Sequence, residues 1–145
     1  MNITTREQIM TALFNLLKNA APFAMASRRM KLWGDQGVVF PALFMKEDDD
    51  TYVQGSEAEP GTVTFGLRLF LYTNPGMDSG VTPATQLNNL LDAVDAALMP
   101  NMLTGLLTLG GLVSHCWING KVMKEQGDLD GFGIAIVPIK IMIPQ

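Results

Sequence analysis

The residues from Thr62 to Thr73 alternate between two kinds of side chain, and this alternation constrains the fold more than any other feature of the chain. Large apolar residues occupy every odd position from Val63 to Leu71, whereas the even positions carry threonine, glycine, arginine and aromatic residues. A period of two is typical of a β-strand with one face in a core. Twelve residues at about 3.4 Å each span roughly 40 Å, well beyond the usual strand. We therefore predict a long central strand, part of which projects outside the core.

Two other segments have the period of an amphipathic helix. The first is predicted to begin at Thr4, which forms a capping-box spacing with Glu7 three residues later. The second is predicted to begin at Thr82 and Pro83, an N-cap and a first helical position, and to end at Pro100. The stripes predicted to face the core are Ile9, Leu13, Leu16, Leu17 and Ala20 in the first helix, and Leu87, Leu90, Leu91, Val94 and Leu98 in the second.

Several shorter segments also have extended character. Residues 27–33 alternate, and residues 40–45 are apolar around Pro41, which favours an edge strand or a bulge. The dipeptide Asn119–Gly120 predicts either a hairpin, in which residues 121–125 pair back, or one strand bent at the glycine.

The last apolar segment changes its parity at Pro138. Phe132, Ile134 and Ile136 share one parity, whereas Ile139, Ile141 and Ile143 share the other. A one-residue bulge near Pro138 is predicted to return both sets to one face. With 145 residues the chain fits one domain, which we take as residues 1–145. We expect an α+β fold in which a mainly antiparallel or mixed β-sheet is flanked by two main α-helices.

Two long connections differ sharply in charge. Residues of about 46–61 are predicted to form a long acidic loop, whose carboxylates are Glu47, Asp48, Asp49, Asp50, Glu57 and Glu59. Such carboxylates can bind calcium or magnesium, but a run of this kind is more often a solvated tip. Residues of about 100–111 form an apolar connection containing Met102, Leu103, Leu106 and Leu107. Because loops normally run over wet surface, we predict that these four side chains contact a neighbouring subunit.

The composition excludes several classes of function. Charged residues make up only 17% and hydrophobic residues 48%, so some apolar surface is expected to belong to a partner. The net charge is -4, so the chain lacks the overall positive charge that is typical of proteins that bind nucleic acid. Passing DNA is therefore not expected to be bound specifically. Residues 96–120 lack charge, but prolines, glycines and polar residues interrupt them, so no membrane span is expected. The N-terminus lacks a secretory signal, which indicates cytoplasmic synthesis.

No group of residues indicates a catalytic, metal or cofactor site. One cysteine excludes an intrachain disulfide and a multi-cysteine zinc site. Cys116 and His115 are the sharpest catalytic candidates, but adjacent strand residues point to opposite faces, which favours packing roles. Asp128 and Asp130 have a fragment of a calcium-loop pattern without its other ligands, which favours a turn. Arg28, Arg29 and Lys31 near Trp33 form one basic cluster, for which a salt-bridged strand surface is the favoured interpretation.

The order and spacing of several segments resemble the tail terminator (minor tail, or tail completion) proteins of long-tailed double-stranded DNA bacteriophages. The residues that carry the resemblance are Arg6–Phe14, Ser27–Trp33, Pro41–Phe44, Leu87–Leu98, Thr108–Gly120, Asp128–Gly131 and Ile136–Ile139. None of these segments is a catalytic signature, and together they span most of the chain.

The resemblance implies a structural subunit that has no enzymatic activity and no cofactor. It implies a homo-oligomeric ring, six-fold in the family, that caps the tail tube at the head-proximal end of the virion tail. Its partners are then the tail tube protein, the head–tail connector proteins and the DNA that passes through. The acidic loop is expected to face this lumen or a partner. Two alternatives remain open: a head-side neck protein, such as a stopper or adaptor, and a small cytosolic thiol enzyme using Cys116 and His115.

Overall fold

A computed structural model describes residues 4–32, 34–59, 61–128 and 130–144 of the chain. Its elements in chain order are α1 (Arg6–Lys18), β1 (Met25–Ser27), β2 (Ala42–Val53), β3 (Thr62–Thr73), α2 (Ala84–Ala97), β4 (His115–Ile118), β5 (Met123–Glu125) and β6 (Gly133–Pro144). The strands form one sheet in the order β1-β2-β3-β6-β4, and β5 also pairs with β6. The β1–β2 pair is parallel, and the other four strand pairs in the described ranges are antiparallel. The predicted α+β class, with a mixed sheet and two helices, is confirmed.

Strand β3 is the centre of the sheet and has the predicted bounds. It pairs along its whole length with β6 and with most of β2. Its odd-numbered side chains enter the main core together with those of both helices. The even-numbered side chains of β3 point to the other face of the sheet. Near the end of the strand, Phe70 and Tyr72 form a second buried cluster there with Ala42 and Phe44 of β2. The segment between β1 and β2 covers this second cluster with Met30, Val38 and Phe40.

Both helices lie on the face of the sheet that carries the main core, and both have their N-cap one residue later than predicted. The capping box of α1 uses Thr5 and Gln8, because the Thr5 hydroxyl accepts from the Gln8 backbone N–H while the Gln8 side chain accepts from the Thr5 backbone N–H. In α2, Pro83 is the N-cap and makes no side-chain capping bond. The predicted stripe of α2 is confirmed, since Leu87, Leu90, Val94 and Leu98 are buried and Leu91 is partly buried. Across the described ranges, neither helix has the length and apolar character needed to cross a membrane.

The predicted bulge near Pro138 is wrong. Strand β6 keeps one unbroken register with β3, from Gly133 opposite Thr73 to Pro144 opposite Thr62. Ala135 and Val137 lie on the same face of β6 as Ile139, and both are fully buried in the main core. Ile134 and Ile136 instead pack against the second cluster on the other face. Each face of β6 therefore has its own apolar neighbours, and the strand needs no bulge to bury the isoleucines of both faces.

The hairpin predicted at Asn119–Gly120 is also wrong. The alternative of one strand bent at Gly120 is closer to the structure, which has two short strands, β4 and β5, on one edge of the sheet. β4 pairs with residues 139–142 of β6, and β5 pairs with residues 134–136 along the same edge. The interruption lies opposite Pro138, whose carbonyl accepts from the backbone N–H of Asn119. Because proline has no N–H to donate on that side, the ladder stops there.

The structure corrects the bounds of the acidic loop. Residues 46–53 are not loop but the outer half of β2, paired with β3 through a register shift between Glu47 and Asp49. Only residues 54–61 connect the two strands, and Pro60 among them lies outside the described residues. The charged half of β2 is extended because β3 provides a full-length partner for its backbone. The extended segment predicted for residues 27–33 is wrong, because β1 covers Met25–Ser27 and residues 28–32 are not in a strand; Trp33 lies outside the described residues.

Candidate functional site

The outer half of β2 carries the acidic run, and cations pair with it on both faces of the sheet. On the face that carries α1, the Arg28 guanidinium lies 2.6 Å from the Glu7 carboxylate and 2.8 Å from that of Glu47. Arg6, the first residue of α1, donates to the Asp50 carboxylate at 2.9 Å and also to the Tyr52 hydroxyl. These contacts join the first turn of α1 to the outer half of β2.

On the opposite face the cations come from β2, β3 and β6. Arg68 makes a two-pronged contact with the Asp48 carboxylate, at 2.9 and 3.1 Å, while Lys46 lies 3.6 Å from the same group. The Lys140 ammonium lies 3.8 Å from the Asp49 carboxylate. This last pair spans β3 at Gly66, where a Cβ atom would clash with the Asp49 carboxylate oxygen. The absence of a side chain at Gly66 therefore allows the two charged groups to meet.

These contacts neutralise the acidic run. The five carboxylates of Glu7, Glu47, Asp48, Asp49 and Asp50 are matched by five cations, namely Arg6, Arg28, Lys46, Arg68 and Lys140. The hydrogen bond from Arg28 lowers the pKa of Glu7, and its two carboxylate partners raise the pKa of Arg28. Glu57 and Glu59, in the exposed loop beyond β2, form no ion pair with any residue in the described ranges. The uncompensated negative charge of this hairpin therefore lies at its tip.

The apolar connection after α2 contains an exposed segment, residues 99–106, which we call the apolar projection. Met102 and Leu103 are each 96% exposed, Met99 is 64% exposed and Leu106 is 40% exposed. The segment is nevertheless an ordered turn, because the Asn101 side chain accepts from the backbone N–H groups of Leu103 and Thr104. The Asn101 N–H also donates to the carbonyl of Leu106 across the turn, at 2.9 Å.

Leu107 differs from the other three residues predicted to contact a neighbouring subunit. Its side chain is partly buried and packs against the main core of its own chain. Its backbone N–H donates to the His115 Nδ1 atom at 3.1 Å. Leu107 therefore fixes the base of the apolar projection, while Met102, Leu103 and Leu106 remain available at its surface.

His115 and Cys116 lie on opposite faces of β4, as the strand pattern predicts. The Cys116 side chain is fully buried in the main core, and this burial raises the pKa of its thiol to about 12. The His115 ring stacks on Trp117, with 5.0 Å between ring centroids. Since the imidazole and the thiol face apart and the thiolate is disfavoured, this pair lacks the geometry of a nucleophile and its base.

Among the described residues, three grooves open on the surface around the helices. One of them, of about 500 Å³, runs along the outer side of α1 and is lined by Thr5, Glu7, Gln8, Thr11, Ala12, Asn15 and Leu112. We call it the α1 groove. A second groove of about 240 Å³ lies between α2 and β5, and a third of about 310 Å³ lies between the end of α2 and β4. The last two have Asp95 in common on their rims.

The other candidate residues have local structural contacts. The Asp130 carboxylate accepts from the backbone N–H of Phe132 in the turn before β6. In the basic cluster, Arg28 is engaged by two carboxylates, and the Lys31 carbonyl accepts from the Tyr72 hydroxyl. Within the described ranges, no three histidine, cysteine or carboxylate side chains converge as metal ligands would.

The sequence indicates the acidic run and the apolar connection but not the cations that pair with the acidic run. Arg6, Arg28 and Lys140 are separated from their carboxylate partners by 19 to 91 positions in sequence, so no local pattern signals the pairing. The α1 groove was missed as well, because Leu112 closes it from a distant loop. A scan against models of known protein families and a search of curated proteins found no match to this chain.

Proposed function

We propose that this chain is a tail terminator subunit of a long-tailed double-stranded DNA bacteriophage. Copies of the chain assemble into a ring, which is six-fold in this proposal, at the head-proximal end of the tail. The ring caps the tube of tail tube protein, stops further subunit addition and offers a surface to the head–tail connector proteins. Two observations support the proposal. Several segments resemble this family in their order and spacing along the sequence, and the chain has the α+β fold that the resemblance predicts.

The apolar projection is the observation that carries the proposal. An exposed Met or Leu side chain gains about 1.5–3 kcal/mol when it is fully buried, so leaving Met102 and Leu103 almost completely in water is costly without a partner. The turn that presents them is fixed by its own hydrogen bonds, so the projection is preformed. A subunit that exists mainly in an assembly buries such a surface permanently.

The negative charge at the tip of the β2–β3 hairpin supports a lumen to which passing DNA does not bind. In the proposed ring the hairpin of β2 and β3 faces the lumen or the connector, and its tip presents Glu57 and Glu59, which form no ion pair within the described part of the chain. Residues 47–50 contribute little net charge there, because their carboxylates are already paired. Negative charge at the tip repels the phosphate backbone and keeps passing duplex unbound.

Mass measurement and tube growth test the proposal together. Light scattering should give an oligomer, and tail tube protein polymerised in the presence of the chain should give shorter tubes with a capped end. Replacing Met102 and Leu103 with serine should lower the oligomer mass, whereas Met123→Ser, at an exposed position on β5, should leave it unchanged. A chain that stays monomeric at every concentration and never caps a tube would contradict the proposal. Binding to isolated portal assemblies but not to tubes would favour the head-side neck protein instead.

A further inference from the structure

We propose that the α1 groove of one copy receives the apolar projection of a second copy. This inference rests on the proposed function and names the two surfaces through which the ring closes. The occupant is the tip formed by Met102 and Leu103, and the receiving wall is formed by Thr11, Ala12 and Leu112. Within one chain the tip is almost fully exposed and therefore does not occupy the groove of its own subunit.

The α1 groove has the size and the lining for such a tip. Its volume is about 500 Å³, and carbon atoms make up most of its surface. The groove is open to solvent along its length, and its volume leaves room for two aliphatic side chains laid along it. The wall is rigid because α1 packs on the main core through Ile9, Leu13 and Leu17, on the opposite side of the helix from the groove.

The distribution of charge selects this groove over the other two. No Lys, Arg, Asp or Glu occurs between Ala96 and Gly120, so the projection brings no charge to a contact. The one charged group on the α1 groove is Glu7, whose carboxylate already pairs with Arg28. The two grooves beside α2 have Asp95 on the rim, and one of them also has Lys124. In the described ranges neither of these two charges has an ion-pair partner, so covering them with an apolar tip costs desolvation without compensation.

The exposed area of the projection is close to what such a contact needs. Given their exposed fractions, Met99, Met102, Leu103 and Leu106 together offer roughly 300 Å² of apolar surface. A standard interface buries about 800 Å² per partner, of which about 450 Å² is apolar. The projection therefore supplies roughly two thirds of the apolar area on its side.

The two surfaces also have the relation that a ring requires. The projection and the α1 groove are different parts of the chain. Two copies that exchange projections about a two-fold axis form a closed dimer. When instead the projection of each copy enters the groove of the next, the contact is heterologous and leaves one projection and one groove free in every partial assembly. Repeated contacts of this kind close into a ring when the rotation between neighbours permits. A two-fold contact between identical surfaces would stop at a dimer.

Cysteine cross-linking between copies tests the proposal. Met102→Cys and Thr11→Cys are made in one chain, and the native Cys116 is retained because it is fully buried. Mild oxidation should give a ladder of disulfide-linked species up to the size of the native oligomer. The matched control combines Met102→Cys with Met123→Cys, which is exposed on β5 away from the α1 groove, and should give no ladder.

A second variant fills the groove and does not depend on disulfide geometry. Ala12→Arg should weaken self-association by about tenfold or more, while Asn88→Arg, on the exposed side of α2, should leave it unchanged. Circular dichroism checks that both variants fold.

The outcomes separate this inference from the proposed function. An oligomer of unchanged mass that forms no Met102–Thr11 link and tolerates Ala12→Arg would overturn the groove assignment and leave the ring intact. A chain that never oligomerises and never caps a tube would overturn both.

Discussion

Replacing Thr73 with valine should stabilise the protein. The Thr73 side chain is fully buried at the end of β3, and its hydroxyl has no hydrogen-bond partner among the described residues. A buried hydroxyl without a partner costs about 1–3 kcal/mol, and valine has nearly the same shape and the same preference for strands. Thr73→Val should therefore raise the free energy of unfolding by about 1–3 kcal/mol, which for a chain of this length is about 3–9 °C in Tm.

Urea and thermal unfolding, followed by circular dichroism, measure this change. The slope of the urea dependence should stay the same, because the surface exposed on unfolding does not change. Thr73→Ser keeps the hydroxyl and removes the methyl group, and should destabilise the fold by about 1 kcal/mol. Thr64→Val, on the same strand but half-exposed on the opposite face, should change stability by less than about 0.5 kcal/mol. A Thr73→Val variant no more stable than wild type would show that the hydroxyl is satisfied in solution, and would refute the reasoning.

Three further predictions concern the core, the sheet and the ion pairs. Because burial raises the pKa of Cys116 to about 12, a maleimide at about pH 8 should label it only after unfolding; rapid labelling of folded protein would contradict its placement. Gly133→Ala should destabilise the fold by about 1–3 kcal/mol in urea unfolding, since its Cβ would lie 2.9 Å from the Gln126 carbonyl oxygen; an unchanged midpoint would argue against this packing. Arg28 lowers the pKa of Glu7, so their contact stabilises the fold above pH 4.5, and this is lost as pH falls through the folded-state pKa. The stability difference between wild type and Arg28→Gln should therefore shrink as pH is lowered, and a constant difference would contradict the pairing.

The parts of the fold that the sequence predicted are those with a strong local period. Strand β3 has its predicted bounds because residues 62–72 follow one uninterrupted alternation. The sheet buries the apolar face of the strand, as that alternation requires. The stripe of α2 was predicted for the same reason. The helix ends are harder to predict. Thr4 has Glu7 three residues later and Thr5 has Gln8, so the sequence offers two capping boxes, and the structure contains the one formed by Thr5 and Gln8.

The errors arose where a partner strand or a second core decided the outcome. Residues 46–53 have the composition of a loop, yet β3 is long enough to hold them in a strand. The parity change at Pro138 suggested a bulge because only one apolar face was assumed, whereas Ile134 and Ile136 pack on the second cluster. In the same way, the sequence identified the acidic run but not its neutralisation, because Arg6 and Lys140 reach it from distant elements.

The oligomeric state of the purified chain tests the central claim most directly. The proposed ring of six copies of 15.8 kDa has a mass of about 95 kDa, which light scattering measures and electron microscopy can image. We expect that mass, together with a ring whose central hole is wide enough for duplex DNA. A particle of 15.8 kDa at all concentrations, with and without tail tube protein, would contradict it.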